Sequence, residues 1–278
     1  MLLWGWVVDA LFFTSNPDLI GKIIFTSYNK IMVMKKRSIG WFLISILILI
    51  TGLATVNTLE LSANTTSNEV PQIKLPEVVK ILGVDDRGYV VRRGPYGNPN
   101  ATITIAYILG VHPLEYESHR AIRTAVMERK NSLSYKYYVY DVNVLRDRYD
   151  YDLGRTYGQE LARDYVVPDI VNQEFELVID VHSNRGNYSE KVFITSLVSD
   201  KDSDNASLQI VSKLPWLKRY RPPAEPGPTS GPYVSIPLIR SGTPTLVYET
   251  YRYDQYDLVL WQAFNLVDAV DEIRWDFK

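Results

Sequence analysis

The sequence predicts an α/β fold in which a mixed, mostly parallel sheet is sandwiched by helices, preceded by an N-terminal hydrophobic segment. Strand-length apolar runs such as ITIAYIL (103–109) and FELVIDV (175–181) indicate burial on both faces. These runs alternate with helical periods, and the stretch from Leu75 onward is about 200 residues, the size of one domain with a single core.

The elements follow in order. A β-run is expected over 101–109, a helix over 115–129 and a β-run over 136–144. A helix over 157–172, strands over 175–181 and 191–197, and a helix over 205–214 come next. Strands near 233–239 and over 245–249 and a last helix over 256–273 complete the domain. The Pro- and Gly-rich stretch RPPAEPGPTSGP (221–232) reads as a long loop of the kind that often carries function.

Composition narrows the function classes. The formal net charge is -2 and the hydrophobic fraction 46%, so the chain is globular and offers no basic field to nucleic acid. Cysteine is absent, which excludes disulfides and thiolate metal sites and leaves His and carboxylates as the ligands for any metal. Only His112, His119 and His182 supply imidazole.

Upstream of the domain, the cluster Met34-Lys35-Lys36-Arg37 precedes the uncharged run GWFLISILILITGLATV (40–56). That layout is a secretory signal or a membrane anchor, and residues 34–57 are assigned to it. Positive charge ahead of the apolar run puts the C-terminal bulk outside the cytoplasm, anchored or secreted. Residues 1–33 are an uncertain leader, and Met34 reads as the true start, which would leave 1–33 untranslated. Residues 58–74, rich in polar residues, form a linker, and 75–278 the folded domain. Sequons at Asn64, Asn100, Asn187 and Asn205 agree with an exported glycoprotein.

The chemistry-bearing residues lie at strand ends. Gly110-Val111-His112-Pro113-Leu114-Glu115 follows one apolar strand directly, and the three-residue spacing of His112 and Glu115 lets both side chains turn toward one ion. His182 stands at the end of the apolar run LVIDV in the segment DVHSN, giving two His and one Glu, the ligand set of catalytic zinc with a fourth position open. Asp180 shares a strand face with His182 and suits the role of orienting an imidazole. His119, four residues past Glu115, reads as lying outside the ligand set. Glu249 ends a further apolar strand in PTLVYETY and is the free carboxylate needed to take a proton from the attacking water.

The ordered set HxxE, DxHS and a late strand carboxylate resembles the zinc carboxypeptidase superfamily, including the succinylglutamate desuccinylase/aspartoacylase-like group. The similarity runs from about Ala101 to Thr250. It implies a Zn2+ cofactor held by His112, Glu115 and His182, with Glu249 as base and proton shuttle, and a peptide or N-acyl amino acid substrate. The superfamily also places an adjacent Asn-Arg pair between the metal motifs to hold a substrate carboxylate. Here Asn143, Arg146 and Arg148 occupy that stretch without adjacency, and Arg155 is a further candidate. A phenol assisting at the scissile bond would come from Tyr233 or Tyr251. The expected activity is metallocarboxypeptidase-like hydrolysis of a peptide or amide bond. The alternatives are an N-acyl amino acid deacylase and a non-catalytic binding domain on the same fold.

Overall fold

The structure is a computed structural model and describes residues 78–223 and 229–275. The leader, the apolar run, the linker, the Asn64 sequon and part of the 221–232 loop lie outside the described residues. Among the described residues no helix is long and apolar enough to cross a membrane.

Strands β1 (Val79–Asp85), β2 (Gly88–Gly97) and β3 (Thr104–Leu109) open the domain. A 3₁₀ turn (Pro113–Glu115) leads into α1 (Tyr116–Arg129), then β4 (Lys136–Val144) and α2 (Tyr151–Leu161). A π turn (Ala162–Val166) joins α2 to the short α3 (Val167–Val171). Then come β5 (Leu177–Asn184), β6 (Phe193–Thr195), α4 (Lys201–Lys213) and β7 (Lys218–Arg219). The domain closes with α5 (Ser235–Arg240), β8 (Thr245–Tyr251) and α6 (Tyr256–Asp271).

The eight strands form one mixed sheet in the order β1-β2-β4-β3-β5-β8-β6-β7. Its central strands β4, β3, β5 and β8 run parallel, and antiparallel pairings sit toward the edges, where β2 meets β1 and β4 and where β6 meets β8. All six residues of β3 are buried, as its unbroken apolarity requires.

Strand alternation sorts the side chains into two cores. Ile105, Tyr107, Leu109, Leu177, Ile179, Val181, Leu246 and Tyr248 pack with α1, α4 and α6 on one side. Ala106, Ile108, Val142, Val144 and Val178 pack with α2, the π turn, α3 and α5 on the other. The sheet is thus the middle of three layers, and His182, two residues on from Asp180 and four from Val178, faces the α2 side.

Three departures from the sequence expectation have physical causes. The segment expected as a strand near 233–239 is instead helix α5, whose buried residues Ser235, Leu238 and Ile239 keep a spacing of three and four. Its Pro237 sits in the first turn, where a missing N–H costs nothing. Helix α2 starts at Tyr151 rather than 157, because the Asp150 side chain accepts from the backbone N–H groups of Asp152 and Leu153 and caps it. The hairpin β1–β2, turned at Asp86-Arg87, adds two strands ahead of the expected first one.

Two glycines fix the loop that leaves β3. Gly110 adopts φ +87°, a conformation that lets the chain turn sharply toward His112. Gly158 on α2 lies so close to the carbonyl of Val111 that any side chain there would collide with it. Helix α2 consequently rests directly on the loop that carries His112.

Candidate metal centre

His112 stands immediately ahead of the 3₁₀ turn after β3, and Glu115 ends that turn. His182 is near the end of β5, the next strand in the sheet. The three side chains are buried at 3, 5 and 1% exposure and converge. His112 Nδ1 lies 3.0 Å from Glu115 Oε1, His182 Nδ1 lies 3.0 Å from Glu115 Oε2, and the two Nδ1 atoms are 3.0 Å apart. Tetrahedral ligands at about 2.0–2.1 Å from zinc stand about 3.3 Å apart, so this cluster is within a few tenths of an ångström of a first coordination sphere.

The outer nitrogens are taken. His112 Nε2 is 3.0 Å from the Gln159 side-chain amide nitrogen on α2, and His182 Nε2 is 3.1 Å from Ser230 Oγ and 3.0 Å from Asp180 Oδ1. Both rings therefore turn their Nδ1 edges to the shared point, as metal-bound imidazoles anchored through the other nitrogen do. Asp180 is itself fully buried and takes a hydrogen bond from Ser235 Oγ at 3.2 Å. The donor set, two imidazoles and a carboxylate without sulfur, fits a zinc ion and leaves a coordination position to spare. Asp180→Asn is expected to lower zinc affinity about 10–100-fold by loosening the His182 ring, read by competition with a chromogenic chelator.

The electrostatics of the cluster favour a cation. Burial lowers the His112 pKa to about 4 despite the pull of Glu115, so the ring is neutral and has a lone pair to offer. Burial opposes ionisation of Glu115, but His112 and His182 outweigh it and hold the carboxyl well below the usual range. For His182 burial also opposes charge, and Asp180 followed by Glu115 reverses that and raises the pKa well above its ordinary value. His119 lies outside the set, its Nε2 3.0 Å from the carbonyl oxygen of Val181.

Glu249 is paired in register with His182 across β5 and β8, and in a parallel pair both side chains stand on the same face. Burial, with help from Glu115 and against His182, pushes its carboxyl up to about 8. Glu249 is 5% exposed, and its Oε2 has no hydrogen-bond partner among the described residues. It lines an open cleft together with His112, Glu115, Arg155, Ser230 and Tyr188. A buried acid with an unpartnered oxygen, on a residue that lines the cleft, is a candidate for proton transfer.

The substrate-binding candidates scatter. Arg155, on α2, lines the cleft, but its Nη1 donates to Glu115 Oε1 at 2.8 Å and its Nη2 to Thr229 Oγ1 at 3.1 Å. It thereby braces the Glu115 carboxylate. Asn143, Arg146 and Arg148 do not line the cleft. The Asn143 amide donates to the Asp141 carbonyl, Arg146 is drawn to Asp86 at 2.6 Å, and Arg148 sits over the Tyr149 ring. Of the two phenol candidates, neither Tyr233 nor Tyr251 lines this cleft; Tyr188 and Tyr151 do. Gln159, Ser230, Arg185 and Arg252 are not evident from sequence, since each reaches the site through a contact between distant segments. The one local signal is Gln159, a polar residue on the buried side of an amphipathic helix.

No family model and no curated protein matches this sequence. Solved structures do. A metallo-carboxypeptidase from Pseudomonas aeruginosa is 12% identical over 66% of this chain and 60% of that chain, with a TM-score of 0.45. A metallo-carboxypeptidase from Burkholderia cenocepacia is 11% identical over 71% of this chain and 65% of that chain, TM-score 0.49. A succinylglutamate desuccinylase/aspartoacylase from Rhodobacter sphaeroides is 14% identical over 66% and 56%, TM-score 0.46. The chain spans less than two thirds of the length of each of these three.

Proposed function

We propose that this chain is an exported zinc-dependent hydrolase of the metallocarboxypeptidase type that cleaves a peptide or amide bond. The observation that carries the reading is the meeting of His112 Nδ1, His182 Nδ1 and the Glu115 carboxylate at 3.0 Å, with Glu249, whose Oε2 has no partner among the described residues, in register opposite His182. Export, by secretion or through a membrane anchor, rests on the basic cluster and apolar run at 34–57 alone.

His112, Glu115 and His182 would hold the zinc. When bound, that ion supplies Lewis acidity, polarising a carbonyl and making a water easier to deprotonate. The protein's own residues do the rest. Glu249 takes the proton from the attacking water as its oxygen bonds to the carbonyl carbon, then delivers that proton to the departing nitrogen as the C–N bond breaks. A divalent cation beside it favours the ionised form of Glu249 that the first step requires. Asp180, Ser230 and Gln159 keep the imidazoles oriented, and Arg155 and the Ser183 N–H, 3.0 Å from Glu115 Oε2, keep the carboxylate in place.

The test is metal analysis followed by paired assays. The purified chain is expected to carry about one zinc and to hydrolyse peptides with free C-termini. Preference for N-acyl amino acids would shift the assignment to a deacylase, and absence of both zinc and hydrolysis would leave a binding domain.

A further inference from the structure

Strand β5 outlasts one of its neighbours. β3 pairs with it only as far as Ile108 opposite Asp180, while β8 accompanies it to Asn184 opposite Tyr251. Successive residues of a strand turn their backbone groups to alternate neighbours. Val178 N–H donates to the Pro244 carbonyl and the Asn184 carbonyl accepts from Arg252 N–H, both at 2.9 Å, so the even-numbered residues of β5 address the β8 side. Val181 and Ser183, which flank His182, therefore address the side that β3 has left. A buried carbonyl such as that of Val181 is costly there without a partner.

Two side chains from the start of α1 take the place of the missing strand. The Val181 carbonyl accepts from His119 Nε2 at 3.0 Å, and Ser183 N–H donates to Glu115 Oε2 at 3.0 Å. Glu115 directly precedes α1 and His119 lies within it, and their spacing of four sets both side chains on one face. Ser118 Oγ donates to the Glu115 carbonyl at 2.8 Å and fastens the turn between them. A carbonyl can only accept, so His119 Nε2 carries a hydrogen. Burial outweighs the pull of Glu115 and lowers the His119 pKa to about 3, which keeps the ring neutral. The ring is buried, and no step of the proposed hydrolysis uses it.

We propose that His119 is a positioning residue for the metal centre. It fixes the β5 backbone on the N-terminal side of His182, as Glu115 does on the other side, and so sets the separation of two ligands carried on distant segments. This rests on the reading of His112, Glu115 and His182 as zinc ligands. Helix α1 thus delivers one ligand and holds the strand that delivers another. The task needs a neutral N–H donor at this reach from the helix. Glutamine keeps such a donor, and methionine fills similar space without one.

The experiment compares the full chain with His119→Gln, His119→Met and Val126→Ala, the last an apolar truncation two turns further along the same helix. Zinc affinity is measured by competition with a chromogenic chelator, and coordination geometry by the visible absorption of the Co2+-loaded chain. His119→Met is expected to weaken zinc binding about tenfold and to shift the Co2+ bands. His119→Gln should recover most of both. Val126→Ala should lower the urea midpoint while affinity and bands stay at wild-type values. A second measurement needs no metal: amide hydrogen exchange at Ser183 should speed up about tenfold in His119→Met, relative to Thr245, whose N–H bonds Ser203 Oγ at 2.9 Å, and slow again in His119→Gln. Should the methionine chain not fold, His119→Asn, whose shorter amide falls short of the carbonyl, takes its place with the same expectations. Wild-type affinity in His119→Met, no recovery in His119→Gln, or an equal loss of zinc in Val126→Ala overturns the proposal. Absence of zinc from the wild type sinks the metal reading and the positioning role with it. A wild type that binds zinc and responds as expected yet hydrolyses nothing removes the hydrolase reading and leaves the role of His119 standing.

Discussion

Replacing Glu249 with Gln is expected to lower turnover by about 10²–10⁴-fold while zinc content stays near one per chain. The amide keeps the shape of the carboxyl but can neither accept a proton from water nor pass one on. The same change should alter stability in the opposite direction. In the metal-free chain Glu249 titrates near 8, against 4.5 for a glutamate side chain in water. Between those values the folded state holds a proton that the unfolded state has released, so stability falls as pH rises from about 4.5 to about 8 and Glu249 adds no slope outside that window. Every tenfold change in acid strength on folding corresponds to about 1.4 kcal/mol, so the loss across the window is on the order of several kcal/mol. Glu249→Gln lacks that titration, and chemical denaturation at pH 5 and pH 8 should find the variant gaining on wild type at the higher pH. Equal stability differences at both values would contradict the burial of an ionisable acid at 249.

The second large effect is expected at His182. His182→Ala should reduce zinc affinity by more than about 100-fold, since it removes a ligand where loss of a mere supporting group costs 10–100-fold. It should also destabilise the metal-free fold by about 3–5 kcal/mol, because Asp180 is left as a buried charge with its main partner gone. Pairing the change with Asp180→Asn should recover part of that loss without recovering zinc. Metal titration by calorimetry and urea unfolding measure the two quantities separately, and a double variant no more stable than the single one would show that Asp180 does not lean on the imidazole.

Much of this site is legible in the amino-acid order. Buried strands announce themselves by apolar runs, and a polar residue closing such a run, as His182 and Glu249 do, stands out against its neighbours. The loop after β3 is legible for the same reason. Pairing is not. Nothing local to His182 or Glu249 says that they are neighbours; that follows from the alignment of β5 against β8, which are separated in the chain by β6, α4, β7 and α5. The run RDRYDYD looks like solvated charge and hides the cap of α2 at Asp150, so periodicity alone starts that helix a turn and a half too late and obscures the setting of Arg155 and Gln159. The segment 233–239 is ambiguous by length: a short apolar run suits a strand or a brief helix equally, and only the packing of Val234 and Leu238 into the core decides.

The contact of Gly158 with the Val111 carbonyl ties two properties that are usually considered apart. Helix α2 presses on the His112 loop at Gly158, reaches His112 through Gln159 and grips Glu115 through Arg155, all from two consecutive turns. On the proposed reading, seating that helix and seating an ion would be a single cooperative act: whatever prises the helix from the sheet would loosen two of the three proposed ligands together, and an ion filling the centre would fasten the helix in return.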